Sequence, residues 1–162
     1  MSETNSQFVF REVGASGIDA VRPLWGKLNL HHAQMSPRFG GELRLRTFEA
    51  RKQELLGKAD AGKLWVLLVA SRTDGANVAY CICTVSTDAI GEIDSVFVEQ
   101  HRRGQGIGTE LMRRALAWLD AMNVTSKIVS VMYGNDEALA FYRHFGFYPR
   151  TMLLQQSGDA AT

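Results

Sequence analysis

Residues 96–109 read Val-Phe-Val-Glu-Gln-His-Arg-Arg-Gly-Gln-Gly-Ile-Gly-Thr, a strand-like start that runs through a basic, glycine-rich turn into a helix. The chemistry of such a turn is anion binding. Glycines 104, 106 and 108 let the backbone curl so that several N–H groups converge, and the helix opening at Ile107 adds the partial positive charge of its N-terminus. Arg102 and Arg103 stand beside it with full charges. Two common phosphate motifs do not fit. A P-loop needs Gly-Lys-Ser/Thr, whereas Gly108 is followed by Thr109 and Glu110. A dinucleotide fingerprint, Gly-x-Gly-x-x-Gly, meets Thr109 at its last position when counted from Gly104 and Leu111 when counted from Gly106.

Downstream of the turn, Ile107, Leu111, Ala115, Leu119 and Met122 mark a long amphipathic helix. A short strand is expected over 127–131, a helix over 135–145 ended by Gly146, and a last strand over 147–155. Upstream, strands are expected over 91–98, 78–86 and 64–71, the last two joined through the hairpin signal Thr73-Asp74-Gly75-Ala76. Before them come a strand over 8–13 and a helix from near Asp19, carrying Ile18, Val21, Trp25 and Leu28 at helical spacing with Pro23 in its first turn. A loop with Ser36, Pro37, Gly40 and Gly41 leads to a second helix over 45–58. The order β, α, α, three strands, α, β, α, β predicts a mixed α/β layer fold with one sheet.

With 162 residues, 46% of them hydrophobic, the chain is expected to form one domain over 1–162, with flexible tails at 1–7 and 157–162. Its formal charge of +1 gives no global field to attract nucleic acid or an anionic membrane. The polar start MSETNSQ and the lack of an apolar run of ~20 residues predict a cytoplasmic protein. Cys81 and Cys83, two apart on a strand, point the same way and read as buried or half-buried thiols; a zinc site or a disulfide framework needs more ligands.

The spacing Arg103-x-x-Gly106-x-Gly108, preceded by apolar Val96, Phe97 and Val98, resembles the pyrophosphate-binding motif of GNAT acetyltransferases. A second segment, Asn135-Asp-Glu-Ala138-Leu-Ala-Phe141-Tyr142 followed by Gly146-Phe147, resembles the other signature of that superfamily. Asn135, Ala138 and Tyr142 share one helical face, with small Ala138 leaving room between two polar groups. The resemblance spans roughly 78–150 and implies a single mixed, mostly antiparallel central sheet flanked by helices. It further implies acetyl-CoA as co-substrate, no metal, and direct attack by an amine in a ternary complex. The donor would be held by Val96, Phe97, Val98, Arg103, Gly104, Gln105, Gly106, Ile107, Gly108 and Thr109. Asn135 would bond the pantetheine arm or a phosphate, and a backbone N–H of 96–98 would hold the acetyl oxygen.

By the same resemblance Tyr142 would sit near the thioester sulfur. A phenol with pKa near ~10 is a proton donor at neutral pH, suited to the departing thiolate. An amine with pKa near ~10.4 must lose a proton, which calls for a base. Glu92 and Asp94 stand at i and i+2, so their carboxylates share a face; Glu92 is ranked first and Asp94 second. His31 and His32, at the end of the first helix, are rivals, and an acyl-enzyme on Cys81 or Cys83 ranks low for want of an activating base. The expected acceptor is a primary amine on a small molecule, with a protein amino group or a non-catalytic acyl-CoA-binding module as alternatives. Segment 26–46 is the expected acceptor wall, and a homodimer is left open.

Overall fold

The computed structural model describes residues 6–61 and 63–158. Of the expected flexible tails, 1–5 and 159–162 lie outside the described residues. Strands β1 (Phe8–Glu12), β2 (Lys63–Ser71), β3 (Asn77–Val85), β4 (Ile90–Val98) and β5 (Ser126–Val129) form one sheet in the order β1-β2-β3-β4-β5. All neighbours are antiparallel except β4 and β5, which run parallel. That is the mixed, mostly antiparallel sheet expected.

Helices α1 (Arg22–Met35), α2 (Gly40–Leu45) and α3 (Phe48–Ala61) precede β2, while α4 (Ile107–Ala121) follows β4 and α5 (Asp136–Arg143) follows β5. The two faces of the sheet carry separate cores. On one, Leu67, Val69, Ala79, Cys81 and Ile93 pack against Ile107, Leu111, Met112, Ala115 and Leu119 of α4. On the other, Val66, Leu68, Tyr80, Ile82 and Phe97 pack against Leu24 and Trp25 of α1 and Phe48 and Leu55 of α3. Because β2 and β3 are covered on both faces, they read as near-continuous apolar runs. Each fully buried Leu, Ile or Met contributes roughly 1.5–3 kcal/mol over its exposed state, so the apolar stripe of α4 fixes that helix to the sheet.

A bulge in β4 positions everything that follows. Ile82 pairs with Ser95, yet the next β3 residue, Cys83, pairs with Ile93, so Asp94 is the extra residue. The parity of the strand flips there: Glu92, Asp94, Ser95 and Phe97 face α1 and α3, while Ile93, Val96 and Val98 face α4 and α5. β5 pairs only with Ile90–Ile93. Among the described residues, the β4 edge from Asp94 to Val98 therefore runs on without a strand partner on that side.

Three boundaries differ from expectation. Residues 15–21 form a 3-10 turn, and α1 starts at Arg22 with Pro23 in its first turn, where no N–H is needed. The helix expected over 45–58 is two helices. Arg46 is extended and ends α2, and the Thr47 hydroxyl accepts from Ala50 N at 3.1 Å to cap α3. The last strand expected over 147–155 is absent: the segment pairs with no strand, and Met152, Leu153 and Leu154 are exposed. Its composition fits a sheet, but a strand exists only where a neighbour's backbone is in register, and Pro149 removes one donor. Gln155 Nε2 of this segment donates to Glu42 Oε2 at 3.3 Å.

Candidate active site

The glycine turn folds as its residue types demand. Gly104 (φ 77°) and Gly106 (φ 83°) occupy the left-handed region, and Gly106 is the residue that opens α4. No side chain caps that helix, so main-chain N–H groups of its first turn are available to a ligand. Gly108 serves a different purpose. A Cβ there would come within 3.3 Å of Phe141, so its bare backbone lets α5 lie close across the start of α4. Thr109 is exposed at the same turn, and Ile107 is the buried pin beneath it.

The two arginines part company. Arg103 Nε donates to Val98 O at 3.1 Å, and its guanidinium stands 3.8 Å from Glu137 at the start of α5, between the two helix N-termini. Arg102 turns the other way, its guanidinium 5.9 Å from the Phe8 ring with Nε buried and unpartnered. Only Arg103 serves the turn. Glu110, the acidic residue in the first turn of α4, is drawn down the helix by Arg113 and Arg114, with contacts of 2.7–2.9 Å. Arg113 above all, and then Arg114, hold its carboxyl down at about 2.

Asn135 is the N-cap of α5: its Oδ1 accepts from Ala138 N at 3.1 Å. That engages the side-chain oxygen and leaves the amide nitrogen to face a ligand. Tyr142, on the last turn of α5, is set edge-on to Phe141 at 5.2 Å and to Phe147 at 6.0 Å. It packs on the same core as Val96, Val98 and Cys81. Burial pushes its phenol above the ordinary value, and the neighbouring Cys81 and Cys83 add to the shift. Cys81 pairs with Val96, so Tyr142 packs on the face of the sheet to which Val96 and Val98 of the unpartnered β4 edge also contribute.

Glu92 and Asp94 share a face as expected, but it is the face opposite Tyr142, and a lysine joins them. Lys58 Nζ on α3 donates to Glu92 Oε2 at 2.7 Å and to Asp94 Oδ1 at 2.5 Å. The Thr84 hydroxyl donates to Asp94 Oδ2 at 2.7 Å, and Arg51 donates to the Asp94 carbonyl at 2.9 Å. The Asp94 side chain is 0% exposed and that of Glu92 23%, so only Glu92 keeps access to solvent. Burial raises the Asp94 carboxyl, opposed by the hydrogen bonds from Lys58 and Thr84. Lys58 and Thr84 escaped the sequence reading because they lie 34 and 10 positions from their carboxylates, with no local pattern linking them.

The remaining candidates stand apart. His31 and His32 are half-buried at the end of α1, their rings 6.3 Å apart, and burial lowers the His32 imidazole, with His31 adding to it. Cys81 and Cys83 are buried with sulfurs 3.8 Å apart; the shared hydrogen bond and burial raise the Cys83 thiol, which makes it a poor nucleophile. Two shallow depressions of about 340 and 300 Å³ lie at the β1–β2 edge and the β2–β3 hairpin, and neither includes Tyr142, Glu92, Asp94 or any residue of 103–109.

Comparison with known proteins agrees with this fold. The model of the acetyltransferase (GNAT) family matches residues 28–147. A search of curated proteins found no match. Among solved structures, a tetramutant of the BH1408 protein from Bacillus halodurans superposes with a TM-score of 0.68 at 18% identity, covering 91% of this chain and 97% of the other. Glucosamine-6-phosphate N-acetyltransferase from Arabidopsis thaliana gives 0.63 at 17% identity, covering 94% and 99%. The aminoglycoside N-acetyltransferase AAC(6')-Iy, in complex with CoA, gives 0.61 at 13% identity, covering 91% and 98%. These likenesses carry the fold, and the family model carries the assignment. The chain belongs to the GNAT acetyltransferase family.

Proposed function

We propose that the protein transfers the acetyl group of acetyl-CoA to a primary amine of a small molecule by direct attack in a ternary complex. The observation that carries this reading is the unpartnered β4 edge from Asp94 to Val98, flanked by Tyr142 on one face of the sheet and by Glu92 on the other. Family membership supports acetyl-CoA as the donor, and structural neighbours named as N-acetyltransferases of an amino sugar phosphate and of aminoglycosides favour a small amine acceptor.

In this reading the diphosphate of CoA rests on the N–H groups of 104–109 beside Arg103, and the pantetheine arm follows the bare edge of β4 past Asn135. An N–H of Val96, Phe97 or Val98 donates to the developing oxyanion, an effect that contributes a few kcal/mol. The amine approaches from the α1 and α3 side. Its nitrogen attacks the thioester carbon, its proton passes to Glu92 through water, the C–S bond breaks, and the Tyr142 phenol protonates the sulfur. Acid and base thus work from opposite faces of the sheet across the gap between β4 and β5.

The test is thiol release from acetyl-CoA with a panel of amino sugars, amino acids and polyamines. The reading expects amine-dependent release with at least one small acceptor, lowered in Glu92→Gln at neutral pH, with the acidic limb of the rate profile flattened. Binding of acetyl-CoA without release for any amine, including peptide amino groups, would replace it with a non-catalytic acyl-CoA module.

A further inference from the structure

Lys58, Asp94, Thr84 and Glu92 form a chain of contacts with a closed and an open end. At the closed end both oxygens of the fully buried Asp94 carboxylate are engaged, one by Lys58 and one by Thr84, and its carbonyl is engaged by Arg51. Asp94 therefore offers no oxygen to a substrate. At the open end Lys58 engages Oε2 of the more accessible Glu92. The other groups around this point are already committed. On α3, Glu54 pairs with Arg46 and Arg51. On β3, the Tyr80 hydroxyl bonds Ser95, and Cys83 lies on the opposite face beside Cys81. Lys58 is thus the one ammonium among the described residues that touches both carboxylates.

We propose that Lys58 is a positioning residue for proton removal: anchored on buried Asp94, its ammonium fixes the Glu92 carboxylate at the open end of the network and supplies the positive charge against which Glu92 acts as a base. This rests on Glu92 being the base. Strand alternation explains why the network needs a lysine at all. Glu92 and Asp94 stand at i and i+2 on the same face, so two carboxylates would confront each other as like charges, one of them without water. Hydrogen bonds to Asp94 and Glu92 overcome the cost of partly desolvating Lys58 and raise its ammonium above the ordinary value, so it stays charged across the working range.

The experiment is the pH dependence of kcat/KM for the wild type, K58R, K58M, E92Q and the double variant K58M/D94N. K58M should move the acidic limb up by about one pH unit or more, since a carboxylate that loses its cation protonates more readily. K58R keeps the charge and should hold the limb within about 0.3 of a pH unit of the wild type. KM for acetyl-CoA should stay within about twofold in both, because the donor side lies across the sheet. If K58M leaves a lone buried charge and misfolds, K58M/D94N removes that charge with its cation, should fold, and should still show the raised limb. Profiles for K58M and K58M/D94N that superimpose on the wild type, or a K58R shift as large as that of K58M, overturn the proposal. Loss of the limb in E92Q together with an unmoved limb in K58M rejects Lys58 alone. An unmoved limb in E92Q rejects the base assignment and the role of Lys58 with it.

Discussion

Tyr142 illustrates how a single position acquires meaning from its surroundings. On the helix it is one of several aromatics at apolar spacing, and by composition it resembles Phe141 and Phe145. Its place beside Phe141 and Phe147, on the core that Val96 joins, makes the phenol a half-buried donor that stays protonated through neutral pH. Tyr142→Phe should therefore lower kcat by about 10²-fold while leaving the affinity for CoA within about twofold, the usual loss for a general acid. Steady-state rates paired with a CoA titration check this. An unchanged kcat removes the acid role, whereas a parallel loss of affinity makes Tyr142 a packing residue. At this scale the motif residues were legible in the sequence, and the state of Glu92 and Asp94 was not. Alternation correctly placed the two carboxylates on one face, but the lysine that unites them comes from a helix 34 residues earlier.

At the scale of elements, α4 does two jobs at its N-terminus that its sequence places in tension. In the proposed function it presents uncapped N–H groups to an anion, yet Glu110 brings a negative charge into the first turn. Arg113 and Arg114 resolve this by drawing that carboxylate down the helix. The depressed Glu110 pKa, about 2, has a stability consequence with a definite sign. A carboxyl whose folded pKa lies below its unfolded value stabilises the fold above the unfolded value, and the benefit fades as pH falls toward the folded one. Arg113 is largely exposed, so solvent screening limits the effect to about 1 kcal/mol. Glu110→Gln should accordingly be less stable than the wild type by about that amount at pH 7. The gap should close as pH falls from about 4.5 towards about 2, which denaturant titrations at several pH values would show. A difference that stays constant with pH refutes the account. The tail after α5 teaches the converse lesson: strand composition over 147–155 was read correctly as composition and wrongly as a strand, because pairing depends on a neighbour that the local sequence does not contain.

Across the whole molecule, the five strands of the sheet, the hairpin, the amphipathic α4 and the glycine turn are visible as periodicity and turn chemistry. Each depends on residues close together in the chain. The bulge at Asp94, the placement of Tyr142 and Glu92 on opposite faces, and the premature end of β4–β5 pairing depend on strand register, which periodicity does not encode. The proposed function rests on these features. In the proposed function the gap in the sheet would let two reactants arrive from two sides, and the glycine turn at its rim would hold the larger of them.

That last statement is open to one direct measurement, a calorimetric titration of the protein with CoA and with pantetheine, which carries the same thiol arm without the diphosphate. Two or three charge-assisted hydrogen bonds at roughly 1.5 kcal/mol each correspond to a difference of at least about 100-fold in affinity. The account predicts saturable one-to-one binding of CoA and pantetheine binding weaker by that factor. No heat with CoA, or equal affinity for the two, would contradict it.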